Sequence, residues 1–223
     1  MDKKLFLKAI TRYILGVFLV GILLFIPAGS FNYWNAWLFM GILFIPMFVV
    51  GILLMIKNPA LLKSRLDVKE KEQEQKQVII YSGLMFLLGF ITAGLNYRFS
   101  WVTIPDSVII IASILFLLSY ALYGEVLREN TYLSRTIEVK ENQKVIDTGL
   151  YGIVRHPMYA VTIFLFLAMP LILGSLISFI IFLLYPIIIA KRIKNEEKVL
   201  EDSLKGYSEY KKKVKYKLIP FIW

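Results

Sequence analysis

The sequence predicts an all-α integral membrane protein, a bundle of five to six transmembrane helices with a short cytoplasmic β-hairpin and a C-terminal cytoplasmic helix. Three observations lead there. Apolar residues make up 58% of the 223-residue chain and charged residues 19%, against about half and about a quarter in a soluble domain; mean hydropathy is +0.66. No charge occurs in 13–56, 77–97, 107–124 or 156–190, and about 20 apolar helical residues cross a bilayer. With the N-terminus inside, segments 1–12, 57–77, 125–155 and 191–223 hold 25 of the 26 lysines and arginines, leaving only Arg98 outside. That asymmetry follows the positive-inside rule.

The elements follow in order. The first charge-free stretch is twice a span and is broken by the turn-rich Gly29-Ser30-Phe31-Asn32, so it makes two helices. Lys3 and Lys4 before an apolar run also resemble a cleaved signal peptide, but Arg12 interrupts the run and Ile26 suits a cleavage site poorly. Asn58-Pro59 ends the second helix, since proline disfavours a helical residue before it. Lys69–Lys76 is a solvated charge run. Two further charge-free stretches, 77–97 and 107–124, give the third and fourth spans. Residues 136–147 alternate apolar and polar around Glu141-Asn142, the pattern of a small hairpin. The last apolar stretch holds two runs of about 15 residues hinged near Gly174-Ser175, as two tilted spans or a re-entrant pair. Residues 1–127 thus form four N-terminal spans with the cytoplasmic loop 57–77. Residues 128–223 form a second region with the helical hairpin 157–190 and the C-terminal helix.

Composition excludes several functions. There is no cysteine, hence no disulfide framework, thiolate nucleophile or Cys metal site, and no metal is expected. The net charge of +10 has a membrane cause, so nucleic acid is not an expected partner. The expected partners are the bilayer and a lipophilic small molecule or lipidated acceptor, with the protein integral to the cell or inner membrane and both termini cytoplasmic.

Chemistry concentrates at the inner face. The only histidine, His156, stands between Arg155 and Pro157 where a loop enters an apolar run. Pro157 suits the first helical position, so arginine, histidine and free helix-end amides make a receptor for a carboxylate or phosphate, although a lone histidine is as readily structural. Beyond the last apolar run, Arg192 and Glu196 are four apart and can pair. Glu197 shares a helical face with Ile193, Leu200 and Leu204, so it needs a partner or a polar cavity. Tyr207, Tyr210 and Lys211–Lys213 follow, and these can simply anchor the chain at lipid headgroups.

Taken in order, "GLYGIVRHPMY", a charge-free hairpin, "EE", "GYSEYKKKV" and "KLIP" resemble the isoprenylcysteine carboxyl methyltransferase and phospholipid methyltransferase superfamily. "NPALLKSRL" and "LRENTYLSRTIEV" resemble its bacterial and archaeal branch. The resemblance covers about 58–220 and is strongest over 128–220. It implies an S-adenosylmethionine-dependent methyltransferase acting on a carboxylate or amine of a lipophilic acceptor. The cofactor would sit between the Arg-His-Pro loop and the Glu-Glu helix. Arg155 and His156 suit its carboxylate, Glu196 or Glu197 its ammonium or ribose, and Tyr151 and Tyr159 its adenine or sulfonium. Arg155, His156, Glu196 and Glu197 would be the catalytic set. Gly149, Pro157, Met158, Asn130 and Ser134 carry over as cofactor-binding positions. Leu150, Gly152 and Val161 depart from the family pattern. The rivals are an NADPH-dependent sterol-type reductase, whose C-terminal region is similar, and a non-catalytic membrane protein or transporter.

Overall fold

The computed structural model describes residues 3–66, 73–134, 139 and 141–223. Helix α1 (Lys3–Ala28) and helix α2 (Trp34–Lys57) flank the expected turn. Gly29 leaves α1 at φ 64°, a left-handed conformation that glycine adopts without a Cβ clash. Asn58 ends α2, and its side chain accepts the Leu61 N–H at 3.1 Å, capping the short α3 (Pro59–Arg65). Helices α4 (Gln73–Phe99) and α5 (Asp106–Glu129) follow. A 3₁₀ turn at Gly149–Gly152 then leads into α6 (Pro157–Ile172), α7 (Leu176–Phe182), α8 (Leu184–Ser203) and α9 (Tyr207–Lys213).

Among the described residues, five helical stretches are long and apolar enough to cross a membrane: α1, α2, α4, α5 and Leu176–Ser203, in which α7 passes into α8. Helix α6 has 16 residues, about 24 Å at 1.5 Å per residue, against a hydrocarbon core of about 30 Å. Its partner is longer than the apolar run predicts, because α8 continues through Lys191 to Ser203. The hinge lies where Gly174-Ser175 places it, with Gly174 at φ 73°. Carbonyls exposed at such a break need donors in apolar surroundings. Tyr33 donates to Leu173 O, Asn35 to Ile172 O at 3.0 Å, and Asn96 to Gly174 O at 3.2 Å.

Close approach of helices depends on glycine at two points of α4. A Cβ at Gly94 would lie 2.6 Å from Leu24 O, and one at Gly89 would lie 2.3 Å from the Phe182 ring. Small residues at such crossings let backbones meet. Phe39, Phe116 and Phe182 are fully enclosed in the common core, while Phe18, Leu19 and Ile110 point outward.

No strand forms among the described residues, so the expected β-hairpin at 136–147 is not shown. Residues 135–138 and 140 lie outside the description. A turn does occupy Glu141–Asn142, with Asn142 at φ 57°. However, Val139 and Val145 pack against Leu204, Tyr207, Tyr210 and Val214, so the alternating apolar residues bury against the C-terminal helices rather than flanking a ladder. Of the charge run 69–76, residues 69–72 are outside the description and 73–76 open α4.

Candidate active site

The loop before α6 is fastened at both ends. Glu129, the last residue of α5, accepts the Leu150 N–H with its two carboxylate oxygens at 3.3 and 3.0 Å. Gly149 permits this: it has φ 52°, and a Cβ there would lie 1.3 Å from Glu129 Oε1. Asn130 donates to the Tyr151 hydroxyl at 3.1 Å, and the Tyr210 hydroxyl donates to Tyr151 O at 2.7 Å. Further on, the Arg155 and His156 N–H groups bond Tyr216 O and Lys217 O, each at 2.9 Å. Pro157 then opens α6 with His156 as its N-cap residue.

Arg155, His156 and Glu197 are all buried. Arg155 Nε donates to Glu197 Oε1 at 2.7 Å, and its Nη1 reaches Val214 O at 2.8 Å and Lys215 O at 2.7 Å. His156 Nε2 lies 3.2 Å from the same Glu197 oxygen. A carboxylate only accepts, so this nitrogen carries a hydrogen. Lys217 Nζ completes the cluster 3.1 Å from Glu197 Oε2. This joins α8, the loop and the C-terminal segment through one carboxylate, and it answers the requirement that a glutamate on the Ile193–Leu204 face find partners.

The neighbouring residue belongs to a different group. The Tyr159 hydroxyl donates to Glu196 Oε2 at 2.5 Å and accepts from Arg192 Nε at 2.8 Å. Arg192 and Glu196 therefore meet through a tyrosine. The His156 ring stacks on Tyr159 with centroids 5.8 Å apart.

Two cavities adjoin this region. The first, about 820 Å³ of empty space including its solvent-open part, is the more polar of the two and lies among the loop, the 143–146 segment, α8 and α9. Of the residues that the resemblance implies for a cofactor site, Asn130, Ser134, Tyr151, Arg155, His156, Met158, Tyr159 and Glu196 line it. Gly149, Pro157 and Glu197 do not line it; they shape the wall from behind. The second, about 1050 Å³ on the same measure, is largely apolar. Val78, Ile79 and Phe86 of α4, Tyr123 of α5, Phe166 of α6 and Ile189 of α8 line it. Ser134, Met158, Tyr159 and Arg192 line both cavities.

Several participants were not among the expected site residues. Arg65 of α3 reaches the second cavity, where it donates to the Tyr123 hydroxyl and to Ser134 O and lies 3.8 Å from Met158 Sδ. Nothing in its local sequence signals this, because the contacts are to distant elements. Tyr207 and Tyr210 are buried and line the first cavity rather than standing at a headgroup surface. The spacing Leu204, Tyr207, Tyr210, Val214 is the signal that marks them as inward. Burial, helped by the charges of Glu197 and Glu196, pushes the Tyr207 phenol well above its ordinary pKa. Its hydroxyl is enclosed yet has no hydrogen-bond partner among the described residues. Those residues also contain no cluster of three or more His, Asp or Glu that could hold a metal ion.

No curated protein matches the chain. The model of the Isoprenylcysteine carboxyl methyltransferase (ICMT) family matches residues 108–202, a span that runs from α5 through nearly all of α8 and takes in both the Arg-His loop and the Glu-Glu helix. Residues 108–202 thus carry the family's sequence pattern around the two cavities, and the match supports the methyltransferase superfamily that the loop motifs resemble.

Proposed function

We propose that the protein is an integral membrane methyltransferase that uses S-adenosylmethionine and acts on a lipophilic acid. In this reading residues 128–223 form the cofactor region, α3, α4 and α5 within 1–127 supply the remaining walls, and the charged end is cytoplasmic. One observation carries the proposal: a polar cavity and an apolar cavity share a wall made by Ser134, Met158, Tyr159 and Arg192. Such a wall lets a water-soluble donor and a membrane-soluble acceptor meet without either entering the other's medium.

The residues of the first cavity fit S-adenosylmethionine in kind. Glu196 suits its ammonium, and Lys144 and Arg192 suit its carboxylate. Tyr151, Tyr159 and Tyr207 offer aromatic surface. The Tyr207 hydroxyl, without a hydrogen-bond partner among the described residues, offers a polar group to a ligand. Arg155 has a different role from the carboxylate receptor that its motif suggests. Its guanidinium is engaged by Glu197 and two main-chain carbonyls, so it holds the loop in place.

S-adenosylmethionine, when bound, supplies an already activated methyl group, so the protein's task is chiefly to hold the acceptor in line and keep water away. Arg65 and Arg192 line the acceptor cavity, and no aspartate or glutamate does so among the described residues. That charge balance favours a carboxylate over an ammonium-bearing acceptor. A carboxylate is already deprotonated at neutral pH and needs no general base. The apolar remainder of the cavity accommodates a hydrocarbon tail.

The test is calorimetry on the detergent-purified protein with S-adenosylmethionine, S-adenosylhomocysteine and NADPH. Binding of the two adenosyl ligands is expected. Binding of NADPH alone would move the protein to the reductase reading, and binding of none would end the cofactor assignment.

A further inference from the structure

Tyr207 occupies the first turn of α9, set there by Gly206 at φ 89°. Its side chain is 4% exposed, and its hydroxyl is shut off from solvent without a hydrogen-bond partner among the described residues. A buried hydroxyl is ordinarily paired, because leaving it unsolvated and unbonded is unfavourable. Tyr207 lines the polar cavity, so the missing partner has a place to stand.

The surroundings determine what that partner is. The charges nearest in effect to the hydroxyl are Glu197, Glu196 and Arg155. Glu197 is engaged by Arg155, His156 and Lys217, and Arg155 by Glu197 and two carbonyls. Glu196 has one oxygen on Tyr159 and also lines the cavity. What remains is therefore a carboxylate and a phenolic oxygen that line the same cavity. An ammonium carries three donors and no acceptor, and can bond both at once. An anionic group would meet Glu196 with like charge.

We infer that Tyr207 and Glu196 together hold the ammonium group of the zwitterionic ligand in the first cavity, with the Tyr207 oxygen accepting one of its hydrogens. The assignment rests on the reading of that cavity as the S-adenosylmethionine site. It makes Tyr207 a direct ligand contact that reads the amino-acid arm and leaves the adenosine to other residues.

The experiment compares the full-length protein with its Tyr207→Phe variant by calorimetry, using S-adenosylmethionine, S-adenosylhomocysteine and 5′-methylthioadenosine, which keeps the adenosine and lacks the amino-acid arm. Affinity for the first two should fall about tenfold to a hundredfold, as for a lost hydrogen bond to a charged group. Affinity for the third should be unchanged. The ligand-free melting temperature should hold or rise, since the deleted hydroxyl has no partner among the described residues. An equal loss for all three ligands overturns the assignment, as does no loss at all. A clear drop in the ligand-free melting temperature overturns it too, because it would show that the hydroxyl serves the fold. If the wild-type chain binds neither adenosyl amino acid, the cofactor reading falls and takes this assignment with it. Wild-type binding without a selective loss in the variant removes the assignment alone.

Discussion

Glu196 and Glu197 are adjacent in the chain, but a helical step of about 100° turns one toward the polar cavity and the other into the cluster of Arg155, His156 and Lys217. Their substitutions should therefore separate. Glu197→Ala leaves the buried Arg155 guanidinium and the His156 ring N–H without their carboxylate and should cost about 3–5 kcal/mol of stability, read from denaturant unfolding in detergent. Glu196→Gln should leave stability nearly unchanged while weakening S-adenosylmethionine binding at least about tenfold, read by calorimetry. Equal effects of the two changes on stability would contradict the division. Tyrosines of the same region give a pH prediction. Burial pushes the phenols of Tyr151 and Tyr210 upward, so the folded chain keeps them protonated while the unfolded chain ionises them near pH 10. Their contribution is complete below that pH and declines as pH rises through and beyond it. The melting temperature should accordingly fall above about pH 10, and less so in Tyr210→Phe.

Among the elements, the break between α6 and α7 shows how an apolar chain can turn within a membrane-spanning bundle. Its carbonyls are met by side chains from elsewhere, and Asn96 ties this break to the α4–α5 connection, bonding Gly174 O on one side and Val102 O and the Val102 N–H on the other. Asn96→Leu should cost about 2–3 kcal/mol through the buried backbone groups left unpaired, again read by unfolding in detergent. Most of the helices were legible because runs without charge have a length that only spans explain. The hinge was legible because glycine beside serine interrupts one of them. The β-hairpin is not shown, and alternation alone does not require it: alternation says that one face is buried but not what buries it, and here the burying surface is Leu204, Tyr207, Tyr210 and Val214. Glu197 was legible as a buried charge from its helical face, but its three partners come from separate segments. Tyr207 and Tyr210 were hidden by neighbouring lysines, which give the strip the look of a headgroup anchor. Arg65 was beyond reach, since only the assembled fold brings α3 beside Tyr123 and Ser134.

At the scale of the molecule, the proposed function assigns the donor to the first cavity and the acceptor to the second. Gly83 of α4 lines the apolar cavity, and a Cβ there would meet no heavy atom within 4 Å. Gly83→Leu should therefore fill the acceptor space without straining the fold. Methyl transfer should fall steeply, with S-adenosylmethionine affinity and melting temperature held, and a loss of cofactor affinity would place the acceptor elsewhere. The two cavities share lining residues, and Arg192 and Tyr159 are among those that line both. A molecule that pushes on one side changes the shape and charge met on the other. The two ligands are then linked thermodynamically: whatever factor the donor adds to acceptor affinity, the acceptor returns to the donor. Discrimination among acceptors would thus be written partly in how tightly each one makes the protein hold its methyl source.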